Sequence, residues 1–103
     1  LHLRIDAGGY SVVFSGDTGP SEALVALCQG VDLLVCECAL RQPRDGVLHL
    51  WPEAVRDLLS RARPKRTLLT HFYAEVDEHQ ALGIARQSGL EVERAFDGQQ
   101  VQL

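Results

Sequence analysis

The chain has 103 residues, of which 46% are hydrophobic and 23% charged; at this length a fold buries only about 60 to 65% of the surface its unfolded chain exposes, which allows one modest core and no second. Its 14 acidic against 10 basic side chains give a net charge of −4, a poor match for a nucleic-acid binder that relies on a broad basic surface. No apolar run approaches the roughly 20 residues needed to span a bilayer, and Leu1 to Ile5 alternate with His2 and Arg4 instead of forming a secretion signal.

Leu1, Leu3 and Ile5 alternate with His2, Arg4 and Asp6, and Ala7-Gly8-Gly9 separates them from the β-rich run Tyr10 to Phe14, which reads as a hairpin. After Ser15-Gly16-Asp17-Thr18-Gly19-Pro20, the helical spacing of Leu24, Leu27 and Cys28 predicts a helix with Pro20 in its first turn and Glu22 beside it. Gly30 ends it. Val31 to Cys36 is apolar throughout, as in a strand covered on both faces. A polar loop from Arg41 to Gly46 leads to a second helix that starts at Pro52 and Glu53, buries Ala54, Val55, Leu58, Leu59 and Ala62, and closes at Pro64. Thr67 to Thr70 is a short strand. The third helix uses Ala81, Ile84, Ala85 and Ser88, with Gly89 as its cap. Leu90 to Phe96 and Gln99 to Leu103 read as a second hairpin about the Asp97-Gly98 turn. The order ββαβαβαββ predicts one mixed α/β sheet, parallel in the middle with a hairpin at each end, in a single unit without repeats or linkers.

Cys28, Cys36 and Cys38 are an odd count with no framework spacing, which points to a reducing, cytoplasmic setting. The Cys36-x-Cys38 pair has the spacing of a soft-metal site, but with no second pair nearby the better reading is a small buried hydrophobe at both positions.

In alternating α/β sheets, ligand sites gather beyond the carboxyl ends of the strands, and here those ends carry Asp17, Glu37 and His71, with His49 just before the second helix. Two histidines and two carboxylates suit a metal site or an acid/base pair. The Asp17 turn fits a metal ligand and a helix cap equally well. Composition alone favours a hydrogen-bonded, partly buried His71 over a ligand, and His49, between Leu48 and Leu50, is as readily a packed loop residue. Glu37 lies in an apolar strand, where a carboxylate is costly without a partner; His49 is a candidate. His2 and His79 read as solvent-facing.

Four stretches in order, Ser15-Gly16-Asp17-Thr18-Gly19-Pro20, Leu33-Leu34-Val35-Cys36-Glu37-Cys38, His49-Leu50-Trp51-Pro52-Glu53-Ala54 and Leu68-Leu69-Thr70-His71-Phe72-Tyr73, resemble the C-terminal half of the metallo-β-lactamase fold, especially its ribonuclease Z-like and related hydrolase branches. The resemblance runs from about Arg4 to Gly98. It implies half of an αββα sandwich with helices on one face, making residues 1 to 103 a single partial domain. It implies a binuclear metal hydrolase of phosphodiesters or related esters, with Asp17 bridging two divalent ions, His71 a ligand of the second, and a bridging water or hydroxide as nucleophile. Zinc is the first expectation, manganese or iron the alternatives. By the same resemblance His49 assists the leaving group and Glu37 orients it. Cys36 stands where that branch commonly has a histidine, Cys38 where a small residue is usual, and Trp51 in place of a capping threonine or serine, so the second helix should start weakly.

The family's His-x-His-x-Asp-His cluster, which supplies most of its metal ligands, does not occur in these residues. Two ligands do not close a catalytic site, so the chain is expected to be inactive without an N-terminal half, the partner that would also cover the second sheet face. A homo-oligomer through that face is the other partner expected. Substrates would be a small phosphodiester or ester, or RNA; no membrane is implied. Arg41 to Arg66 carries an excess of four positive charges, read first as a solvated surface and second as a phosphate-contacting patch. A non-enzymatic α/β module that associates through its bare sheet face is the alternative function. A phosphate-binding, receiver-like domain using Asp17 fits the predicted strand order less well.

Overall fold

A computed structural model describes all 103 residues. The strands are β1 (Leu3–Ala7), β2 (Tyr10–Phe14), β3 (Leu33–Glu37), β4 (Arg66–Thr70) and β5 (Glu91–Arg94); the helices are α1 (Glu22–Leu27), α2 (Pro52–Ala62) and α3 (Glu78–Arg86). The sheet order is β1-β2-β3-β4-β5, with β1 and β2 antiparallel and the remaining pairs parallel. Three successive parallel crossovers in one direction, each right-handed as strand twist requires, place all three helices on the same face.

Alternation along the strands separates two surfaces. Val13, Leu34, Cys36, Leu69 and Val92 form one core with Leu24 and Cys28 behind α1, Val55, Leu58, Leu59 and Ala62 of α2, and Ala81 and Ala85 of α3. On the opposite face Leu3, Phe14, Val35 and Leu68 lie side by side across four strands. Leu33 and Leu68 are nearly closed off there, but Leu3, Ile5, Tyr10 and Phe14 keep 54, 47, 47 and 39% of their surface. The bare half of the sheet is therefore its antiparallel end, a contiguous apolar surface of a kind that folded proteins seldom leave in water.

The expected closing hairpin does not form. The Asp97-Gly98 turn is present, with Gly98 at φ 79° and Gln99 N–H donating to Phe96 O at 3.1 Å, but no strand follows and β5 ends the sheet. Glu91 and Glu93 are exposed on that last strand, charged as an unpaired edge usually is. The tail runs to β4 instead, where Arg66 Nη1 donates to Gln102 O at 3.3 Å.

Two helix ends also move. Ser21, not Pro20, starts α1: its hydroxyl accepts from Leu24 N–H at 3.1 Å, which puts Pro20 outside the helix. α3 closes at Gln87, and Gly89 takes its positive φ of 81° two residues later. α2 begins as expected, with Trp51 at the N-cap making no side-chain bond and Pro52 behind it, at a cost of about 1 kcal/mol against a hydroxyl cap.

Four of the seven basic side chains between Arg41 and Arg66 are in ion pairs. Arg61 meets Glu22 and Asp57, Lys65 meets Asp32, Arg66 meets Glu91, and Arg44 meets Glu75. All three cysteines are buried and free; burial raises the Cys28 thiol to about 11 and the Cys38 thiol to about 12, and drives Cys36 up as well. Protonated thiols packed in the core are neither nucleophiles nor metal ligands. No helix is long and apolar enough to cross a membrane.

Candidate metal centre

The carboxyl ends of β2, β3 and β4 lie side by side, and their parallel register brings Glu37 opposite Thr70, one residue before His71. Short backbone bonds fix the loops beyond them: Cys38 N–H to Thr70 O at 3.0 Å, Tyr73 N–H to Ala39 O at 3.1 Å, and Leu40 N–H to Leu50 O at 3.1 Å. His71 adopts φ 59°, a left-handed conformation that costs a β-carbon-bearing residue roughly 1–2 kcal/mol and that clusters at functional positions.

Asp17, His49 and His71 converge, each offering a donor atom within 4.8 Å of the others. Asp17 Oδ1 lies 3.5 Å from His71 Nε2. That is long for an N–H···O bond, which favours roughly 2.7–3.2 Å, but it is close to the spacing of two donors on one tetrahedral cation, about 3.4 Å when each bond is near 2.1 Å. One carboxylate and two imidazoles are the donor set of a borderline divalent metal. Both Asp17 and His71 face a cavity of about 310 Å³ that also exposes Phe14, Val35 and Thr70, so it opens toward the bare sheet face.

Glu37 is 2% exposed and fully engaged. Its Oε1 accepts from Leu50 N–H at 2.8 Å, Thr18 N–H at 3.2 Å and His49 Nδ1–H at 3.2 Å; its Oε2 accepts from Ala39 N–H at 2.9 Å. One buried carboxylate thus joins the turn that carries Asp17, the end of β3 and the loop that carries His49. The expected Glu37–His49 contact is present. Its three backbone donors come from separate loops, and residue spacing gives no sign of them.

Two further residues take part that the sequence pattern left aside. The Tyr73 hydroxyl lies 2.9 Å from His49 Nε2; its place two residues beyond His71 is the one signal that would have put it on this rim. His2, expected to face solvent, is half-buried, with Nδ1–H donating to Ser15 O at 2.7 Å and Nε2 facing Ser21 Oγ at 3.3 Å. It brackets the Asp17 turn at both ends. Gly16 within that turn has φ 63°, and a β-carbon there would collide with the Leu1 carbonyl, so glycine is required by both conformation and space. His79 is exposed, as expected.

Residues 1–72 match the family model described as a beta-lactamase superfamily domain. The chain belongs to the metallo-β-lactamase superfamily. An uncharacterised protein of Mycobacterium leprae is 39% identical over 73 residues, which are 68% of this chain and 26% of that protein. The ribonuclease Z of Ignicoccus hospitalis is 39% identical over 67 residues, 61% of this chain and 22% of that one. Among solved structures, the metallo-β-lactamase fold protein YhfI of Bacillus subtilis superposes with a TM-score of 0.84 at 23% identity, over 91% of this chain and 40% of that one. The chain spans about a quarter of the length of the curated relatives it matches, and its five-stranded sheet with three helices corresponds to part of the superfamily fold.

Proposed function

We propose that this chain is the C-terminal portion of a metal-dependent hydrolase that cleaves phosphodiester or related ester bonds, and that it acts only together with an N-terminal half of the same fold. The observation that carries the reading is the convergence of Asp17, His71 and the Glu37–His49 pair on one rim. Its likeness to a ribonuclease Z over 67 residues supports the choice of ester. Asp17 and His71 would hold divalent metal ions; zinc is the first candidate, manganese and iron the others. Bound there, such ions supply positive charge that polarises the ester and activates water for attack.

The chain's own residues do the rest. Glu37 accepts from Nδ1–H of His49, which fixes the ring; once Nε2 has taken up a proton from solvent, it hands that proton to the departing oxygen. His2 and the Gly16 turn hold the backbone that carries Asp17. In the full-length protein, Asp17→Ala is expected to lower bound zinc or manganese, measured by elemental analysis after dialysis, and to abolish hydrolysis of an activated phosphodiester. Full metal content in that variant would refute the ligand assignment.

A second reading, an α/β module that associates through its sheet face, is favoured by the exposed Leu3, Ile5, Tyr10 and Phe14. Both readings need that face covered, by the N-terminal half in the first and by a second copy or another partner in the second. Isolated residues 1 to 103 are expected to bind an apolar dye or to self-associate on gel filtration, whereas the full-length protein should do neither. A dye-silent monomer of the isolated chain would contradict an interface on this face.

A further inference from the structure

Proximity alone makes His49 as good a metal ligand as His71, since the donor atoms of both lie within the same 4.8 Å cluster as Asp17. We propose that Tyr73 is a positioning residue that keeps His49 out of the metal's coordination and so reserves it for the leaving group. The inference rests on the hydrolase reading above and adds to it the device that separates ligand from proton donor.

A ligating imidazole needs one nitrogen lone pair free. The Glu37 carboxylate opposite His49 Nδ1 accepts at 3.2 Å, so that nitrogen carries the proton. The remaining lone pair of the neutral ring is on Nε2, and there the Tyr73 hydroxyl donates at 2.9 Å. Both nitrogens are therefore taken. His71 differs: its ring meets Asp17 at 3.5 Å and makes no hydrogen bond to another side chain.

The backbone of Tyr73 is held independently of His49. Its N–H donates to Ala39 O at 3.1 Å and its carbonyl accepts from Val76 N–H at 3.0 Å. Its ring stands edge-on to both imidazoles, with centroids 5.3 Å from His49 and 5.5 Å from His71. The residue is 37% exposed, so the hydroxyl can turn away when Nε2 takes up a proton from solvent, and a departing oxygen then receives that proton in the hydroxyl's place.

The test is a cycle of zinc affinities in the full-length protein, by competition with a chromophoric chelator. With Tyr73 present, His49→Ala should leave affinity nearly unchanged. Tyr73→Phe keeps the ring and frees Nε2, so affinity should rise, and His49→Ala in that background should then lower it about tenfold. The visible spectrum of the cobalt-substituted protein should change in Tyr73→Phe and revert in the double variant, which a purely structural role for Tyr73 would not produce. Additive effects, or an unchanged cobalt spectrum, would overturn the role of Tyr73 while leaving the hydrolase reading intact. If His49→Ala alone strips the metal, the division between ligand and proton donor fails, and this inference with it.

Discussion

Glu37→Ala should destabilise the folded protein by about 3–5 kcal/mol, as expected when one member of a buried charged network is removed. The carboxylate serves four donors, three of them backbone N–H groups. A buried donor left without an acceptor costs about 1–3 kcal/mol, and the four costs overlap because the emptied space admits some rearrangement or water. Against a total stability of about 5–15 kcal/mol for a typical domain, the loss is a large fraction. Glu37→Gln should fall between. Its carbonyl can stand in for Oε1, which takes three of the four bonds, but its amide then points two hydrogens at the Ala39 N–H. The ordering wild type, Gln, Ala in urea midpoints checks this; an Ala variant within about 1 kcal/mol of wild type would mean that the loops hold without the carboxylate.

The same residue shows how far the sequence could be read. A carboxylate in the apolar run from Leu33 to Cys38 announces by its cost that a partner exists, and His49 was a reachable guess. The N–H groups of Thr18 and Leu50 were not, because they lie 19 and 13 residues away and are placed by the tertiary path of two loops. Asp17 and His71 were legible for a local reason: each follows a short apolar strand, and parallel strands deliver their ends to one rim. Tyr73 needed the register that sets it 24 residues from His49 in sequence yet 2.9 Å away.

The C-terminal hairpin fails to form for the opposite reason. Asp97-Gly98 forms the turn its chemistry demands, but a turn is local and strand pairing is not. Gln99 to Leu103 offers two apolar residues among three glutamines, too little for a strand to gain by pairing beyond the charged edge of β5. His2 departs from the solvent-facing expectation because alternation assigns a face and says nothing about what that face meets. Its parity put it with Arg4 and Asp6, and α1 happens to begin beside it, so that Ser21 Oγ is within 3.3 Å.

The second large effect concerns His49. On the proposed chemistry His49→Ala removes the proton donor while Asp17 and His71 stay in place, so kcat for an unactivated ester should fall by about 10²–10⁴, the usual contribution of a general acid, equivalent to about 3–5 kcal/mol of barrier. Bound metal should be unchanged, in contrast to Asp17→Ala. The leaving group sharpens the test. A nitrophenolate departs without help, so the variant should lose little activity on an activated diester and most of it on an alkyl one. A merely structural His49 would lower both alike. Equal metal loss in the Asp17 and His49 variants would instead make all three clustered residues ligands, and the proton would have to come from elsewhere on the rim.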